Sequence, residues 1–338
     1  MNEVMHRAYI SGVGMFVPER IVTNHDLSKL MDTNDEWIRS RSGIETRRWV
    51  SGDTTTSDLA LEASKKALSH AGLKASDLDA IILATLSPDH DFPGTACFLQ
   101  TKLGIQGCAA LDIRQQCSGF IYASSIADQF IRTGMYQNIL VVGAEIHSKG
   151  LDLTTAGRDV SVLFGDGAGA VVISRKTAGL KNQGILLSTK LHADGAYAKE
   201  LWVEAPTQAS DVRLSHKMIE EKQIFPKMNG KVVFINAVKR MSEVLTENLK
   251  AENLSIEQVD LFLFHQANLR INEAVAKTLN IPEHKIFNTI QKYGNTTAAT
   301  IPIGMAEAYA EGKLKPGMLV ASAAFGSGFT WASMIFRT

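Results

Sequence analysis

The feature that most constrains this chain is that its second half is a weakened copy of its first. Placing Cys117 on Asn295, 178 residues later, sets Gly134 on Gly312 and Leu140–Val142 on Met318–Val320 without a gap. Upstream, LDAIILA before Thr85 resembles VDLFLFH ending at His265, and TKLGI at Thr101–Ile105 resembles TLNI at Thr278–Ile281. Both halves therefore read strand, helix, strand, helix, strand. Five elements in one order at a near-constant offset point to duplication rather than chance. The boundary falls near Lys176–Gly184, where KTAGLKNQG interrupts the strand pattern, and divides the chain into residues 1–178 and 179–338 packed as one unit.

Local patterns name the elements of the first half. Asp58–Ala71 is a helix stopped by Gly72, and Leu78–Leu86 is a buried strand. Gly94–Lys102 is a helix ended by Gly104; Ala109–Ile113 is a strand, Ser118–Arg132 a helix, and Asn138–Val142 a strand. This alternation predicts an α/β layered fold with a mostly parallel sheet. The 45 % apolar content over 338 residues excludes a disordered or collagen-like chain. The balance of 35 basic and 35 acidic residues argues against a general nucleic-acid binder. The longest apolar runs, such as Ile139–Val142, are far too short for a membrane helix, and the start MNEVMHRAYISGVG lacks a signal peptide's apolar core. Three cysteines make no disulfide framework, and the expectation is a cytoplasmic enzyme.

Cys117 stands apart from the other two cysteines. It follows the strand ALDIRQQ and begins a helix, where the positive end of the macrodipole favours the thiolate. Taken alone, a buried small apolar residue is the commoner reading. The duplication changes the balance, because Asn295 holds the equivalent position and His265 ends the second-half strand among Gln266, Ala267 and Asn268. Cysteine, histidine and asparagine meeting near a pseudo-two-fold axis would supply a nucleophile and donors for an oxyanion. Cys97 and Cys108 form no zinc-binding spacing. GDGAGA at Gly165–Ala170 lacks the dinucleotide spacing and reads as a tight turn between strands. FGSGFTW at Phe325–Trp331 reads as a hairpin turn, or as backbone brought close to a substrate.

Six segments together carry a family resemblance: TNDEWIRSRSGIETRR, DIRQQCSGF, GDGAGA, HQANLRI, YGNTTAATIP and FGSGFTW. In order and over essentially the whole chain, they resemble the β-ketoacyl-ACP synthase III family. These are condensing enzymes of the thiolase superfamily that start bacterial fatty-acid synthesis. The resemblance implies a thiolase-like α/β fold, with two duplicated βαβαβ halves in a five-layered α-β-α-β-α arrangement. It implies Cys117 as the nucleophile acylated by an acyl-CoA primer, with His265 and Asn295 stabilising the enolate that malonyl-ACP forms on losing carbon dioxide. The N–H groups of Cys117 and Ser327 would form the oxyanion hole. Trp37, Arg41, Arg158 and Asn268 would hold CoA and its pantetheine, and Phe92 would line the acyl pocket. Arg270 and Lys277 would dock the acidic carrier protein. No metal or other cofactor is implied, and a homodimer is.

Three features depart from the housekeeping pattern. Arg114-Gln115-Gln116 replaces the usual small residues before the nucleophile, resembling the anthraniloyl-CoA condensing branch, as do LSPDH and GAEIHSKGLDLTTAGRDVS. The segment Tyr197–Pro226 is long and mixed, and Ile235 stands where a carrier-docking lysine is common. A specialised acyl-CoA condensing enzyme or acyltransferase with a non-acetyl primer is therefore the competing expectation. A non-catalytic acyl binder is a third. A degradative thiolase fits poorly, since all three cysteines lie in the first half.

Overall fold

The computed structural model describes residues 6–175 and 184–338, so the expected boundary at 178/179 lies outside the described residues. In the first half, β1 (Ala8–Phe16) is followed by α1 (Asp35–Ser42), α2 (Thr56–Ala71), β2 (Ala80–Ala84), α3 (Thr95–Lys102), β3 (Ala109–Ile113), α4 (Gly119–Arg132), β4 (Asn138–Glu145) and β5 (Gly167–Arg175). In the second, β6 (Gly184–Ala193) is followed by α5 (Gly230–Ala251), β7 (Leu261–Phe262), α6 (Leu269–Thr278), α7 (Thr300–Ala310), β8 (Leu319–Gly326) and β9 (Thr330–Arg337). The helices end where their sequences dictate. A Thr55–Asp58 capping box opens α2, and Gly72 closes it at φ 68°.

The strands run β7-β8-β9-β6-β1-β5-β4-β2-β3 across one surface. Read outward from the centre, both halves repeat one order: β1-β5-β4-β2-β3, and β6-β9-β8-β7 followed by an isolated parallel bridge from Phe262 to Ile286. Among the described residues, the halves meet at their first strands through two residue pairs, Tyr9–Ile185 and Ile10–Gly184.

The period-two alternation of each strand sorts its side chains into layers. On β2, Ala80, Ile82 and Ala84 face a central cluster, whereas Ile81 and Leu83 face an outer one. On β9, Ala332, Met334 and Phe336 face the same central cluster, whereas Trp331 and Ile335 face the other outer one. The central layer is α4 and α7, with α2 and α3 outside one sheet and α5 and α6 outside the other. Helix α7 is apolar nearly all round and buried from Thr300 to Ala308, as a helix between two sheets must be. These are the five layers α-β-α-β-α.

Two expectations are corrected. The sheet is mixed rather than mostly parallel. β2 pairs in parallel with β3 and β4, and β7 with β8, but the other five pairings are antiparallel. The chain leaves β4 and β8 without a full crossover helix, and such connections return antiparallel. Nor is GDGAGA a tight turn, because Gly167–Ala170 already belong to β5. Their smallness serves packing: a Cβ on Gly169 would lie 2.6 Å from the Ile303 nitrogen of α7.

Candidate active site

Cys117 sits where β3 hands over to α4. The chain turns through Gln116 at φ 42° into a single 3-10 turn, Gln116–Ser118, before α4 begins. The equivalent residue in the second half is Gly294, also left-handed at φ 63°. The elbow is tied to the β8–β9 hairpin by a 2.6 Å hydrogen bond between the hydroxyls of Ser118 and Thr330. Gly326, ending β8, packs against the nucleophile so closely that a Cβ there would lie 2.7 Å from Cys117 Cβ. The Ser327 hydroxyl donates to the Leu201 carbonyl. The backbone N–H groups of Cys117 and Ser327 both favour the ionised form of the Cys117 sulfur.

The thiol is 8 % exposed, and burial, with a smaller contribution from Glu145, pushes its pKa up to about 12 against those two N–H groups. The thiolate expected from the helix end is therefore corrected. Desolvation outweighs the local donors, and the resting group is the protonated thiol.

His265 and Asn295 open on the same cavity, of about 680 Å³, as Cys117. His265 extends β7, its N–H donating to the Ala323 carbonyl at 2.9 Å. Its Nδ1 lies 2.8 Å from Thr300 Oγ1, and its buried Nε2 has no hydrogen-bond partner among the described residues. Burial lowers the imidazole to about 3, so it is neutral. Asn295 is held across the halves: its N–H donates to the Leu163 carbonyl and its carbonyl accepts from Gly165. Its Oδ1 accepts from the Thr297 N–H at 2.8 Å, which leaves the NH₂ end available to a ligand. A neutral imidazole nitrogen and an amide thus face one space with a thiol and two backbone donors, the equipment for acyl transfer and oxyanion stabilisation.

The mouth of the cavity is basic. The guanidinium groups of Arg41 and Arg158 both lie against the Trp37 ring, 4.4 and 4.6 Å from its centroid. Trp37 and Arg41 ride on α1, which approaches α6 so closely that a Cβ on Gly43 would lie 2.6 Å from Leu269 Cβ. Asn268 caps α6 by accepting from Arg270 N–H and donates to the Arg41 carbonyl, joining the two helices. Arg270 lines the cavity and lies 5.7 Å above the Phe234 ring. Lys277 is exposed on the same helix and outside the cavity, and Ile235, 55 % exposed, lines the entrance.

Phe92 is 85 % exposed and does not line this cavity within one protomer. Asp112 accepts hydrogen bonds from Thr95 and Ala96, pinning the start of α3, so the preceding loop runs over the surface. Several residues of the site carry no signal by type alone. Gly326 is betrayed only by contact, and His147, Glu145, Thr297 and Thr300 lie inside quoted motifs without an assigned role. Gln266, by contrast, is structural, accepting from Thr289 and Ile290. Among the described residues, no cluster of three or more His, Cys, Asp or Glu is placed to hold a metal ion, and no helix is long and apolar enough to cross a membrane.

Comparison with known proteins decides the family. Residues 111–195 match the family described as 3-oxoacyl-[acyl-carrier-protein (ACP)] synthase III, and residues 249–338 match its C-terminal part. A β-ketoacyl-[acyl-carrier-protein] synthase III of Caldanaerobacter subterraneus subsp. tengcongensis is 46 % identical over 98 % of this chain and 97 % of its own. This chain belongs to the β-ketoacyl-ACP synthase III family. The family's enzyme from Geobacillus kaustophilus is also 46 % identical, covering 98 % of both chains. The crystal structure of the Aquifex aeolicus family member superposes with a TM-score of 0.89 at 42 % identity, covering 98 % of this chain and 100 % of that one. The fold is the thiolase fold of these condensing enzymes.

Proposed function

We propose that this chain condenses an acyl-CoA primer with malonyl-ACP to start fatty-acid synthesis, with Cys117 carrying the acyl group between two half-reactions. One observation supports it most: the thiol, His265 and Asn295 line a single cavity whose mouth holds an arginine-flanked tryptophan. In the first half-reaction the Cys117 sulfur attacks the thioester carbonyl. The backbone N–H groups of Cys117 and Ser327 are assigned to receive the oxyanion. Such a donor contributes roughly 3–4 kcal/mol to a transition state of this kind. The sulfur–carbon bond to CoA breaks, and the thiol proton leaves with CoA.

In the second half-reaction, loss of carbon dioxide from malonyl-ACP generates an enolate without a strong base. The Asn295 amide is the donor placed to hydrogen-bond it, with His265 Nε2 facing the same space. The enolate carbon attacks the acyl-cysteine carbonyl, the carbon–sulfur bond to Cys117 breaks, and the released sulfur takes up a proton to restore the thiol. Trp37, Arg41 and Arg158 are assigned to the CoA nucleotide, and Asn268 to the position of that cluster beside the pantetheine. Arg270 and Lys277 are assigned to the acidic carrier protein. The two halves, 1–178 and 179–338, are taken as products of one duplication. A homodimer is proposed as well, because the outer side of edge strand β3 has no partner strand among the described residues and Phe92 is exposed, surfaces a second copy would cover. None of Arg114, Gln115 and Gln116 lines the cavity, so the departures before the nucleophile favour no second reading.

Intact-protein mass spectrometry after incubation with a panel of acyl-CoAs tests the assignment. The expected result is acetyl labelling that Cys117→Ala abolishes. Labelling only by aromatic or long acyl groups, or labelling that survives Cys117→Ala, would overturn it.

A further inference from the structure

Thr297 occupies a backbone conformation that its side chain disfavours. Its φ is 50°, and of the described non-glycine residues with positive φ it alone is β-branched. Such a residue persists only where its surroundings over-determine it. Here they do. Its N–H donates to Asn295 Oδ1 at 2.8 Å. Its carbonyl accepts from the backbone N–H of Thr300 and, at 3.0 Å, from the hydroxyl of Thr300, whose oxygen lies 2.8 Å from His265 Nδ1. Its own hydroxyl lies 2.5 Å from Nε2 of His147, which comes from the other half of the chain.

His147 is itself fixed. Its backbone N–H donates to Asp166 at 2.7 Å, and its ring lies 4.5 Å from that of Phe164, whose backbone bridges Asn295. One buried side chain of the first half therefore ends in a hydrogen bond to the residue that orients both polar groups of the second.

We infer that His147 and Thr297 are a positioning pair that holds the Asn295 amide donor and the His265 imidazole in place for the condensation half-reaction. The inference rests on the activity proposed above. Losing the hydroxyl contact lets Thr297 leave the left-handed region. Asn295 Oδ1 then loses its N–H donor, and the Thr297 carbonyl moves away from the Thr300 hydroxyl that meets His265. The N–H groups of Cys117 and Ser327 belong to the α4 elbow and the β8–β9 hairpin respectively, and stay in place. The two half-reactions should therefore respond differently.

The test uses the full chain with His147→Leu, His147→Gln, Thr297→Ala and Thr297→Ser. Acylation of Cys117 by acetyl-CoA is followed by mass spectrometry, and condensation is followed separately from pre-acylated enzyme and malonyl-ACP. His147→Leu and Thr297→Ala should leave acylation within about twofold of wild type and lower the condensation kcat about 100-fold, with KM for malonyl-ACP little changed. His147→Gln and Thr297→Ser, which keep a hydrogen-bonding group, should recover most of that loss. Equal losses in both half-reactions, or condensation at the wild-type rate, would overturn the inference; should His147→Leu fail to fold, Thr297→Ala decides it. Wild-type chain that is not acylated, or never condenses, would instead refute the proposed function and this inference with it.

Discussion

Gly326→Ala asks whether close backbone approach builds the oxyanion hole. The new Cβ would stand 2.7 Å from Cys117 Cβ, 3.0 Å from its nitrogen and 3.2 Å from its sulfur. Carbon atoms rest at about 3.5–4.0 Å, so the β8 end and the α4 elbow must part by about 1 Å. Gly326 is not in the left-handed region, so the whole effect is steric. Overpacking of this kind costs about 1–3 kcal/mol. Unfolding entropy of about 2.1 cal/mol/K per residue sums to about 0.7 kcal/mol/K for this chain, so Tm should fall by only about 1–4 °C. Catalysis should suffer far more, because the same displacement carries Ser327, the next residue in the chain, and its N–H away from Cys117. Loss of one such donor lowers the rate about 10²–10³-fold. The assay is the rate of acetyl transfer to Cys117, alongside a melting curve. Gly304→Ala is the control: its Cβ meets nothing nearer than Leu263 Cδ2 at 3.8 Å, and alanine favours α7, so Tm should hold or rise. Acylation by Gly326→Ala at the wild-type rate would refute the reasoning.

The buried thiol sets a second expectation. Alkylation of Cys117 by iodoacetamide should rise about tenfold per pH unit from roughly pH 7 to 9 without levelling; a plateau near neutrality would mean that the helix end wins after all. Stability should depend on pH through three buried groups. His147 and His265 are lowered from 6.5 to about 3, so stability is full above 6.5 and falls below it, by about 1.4 kcal/mol per pH unit each. Glu145 is raised from 4.5 to about 7 by burial, so it opposes them, adding about the same amount per unit as pH falls from 7 to 4.5. In denaturant titrations between pH 6.5 and 5, His147→Gln should therefore flatten the acid-side loss and Glu145→Gln should steepen it; unchanged slopes would refute the charge states. Finally, Trp37→Ala should raise KM for acyl-CoA by about tenfold and leave kcat nearly unchanged, since the ring acts far from the reacting bond. A fall in kcat at constant KM would remove Trp37 from the CoA site.

What the amino-acid sequence by itself determined was everything carried by local pattern. Ala109–Ile113 is the strand its apolar run announces, and the helix expected at Asp58–Ala71 is present as Thr56–Ala71, ended at Gly72. The offset of Cys117 from Asn295 runs parallel to a strand order that repeats from the centre outward, five strands on one side and four with an isolated bridge on the other. It also singled out the cysteine, histidine and asparagine that share the cavity. Tertiary structure alone decided the quantities that depend on what lies opposite in space. Strand direction turned on connections that lack helices, and Phe92 lay outside the cavity because a pinned α3 sends its loop over the surface. The charge state of Cys117 was decided by burial, a property of the whole fold that overrides a helix end visible in sequence. Gly326 and Thr297 matter for the same reason. A missing Cβ 2.7 Å from a neighbour and a threonine held at positive φ record contacts across more than a hundred residues, and no local pattern can encode a distance of that kind.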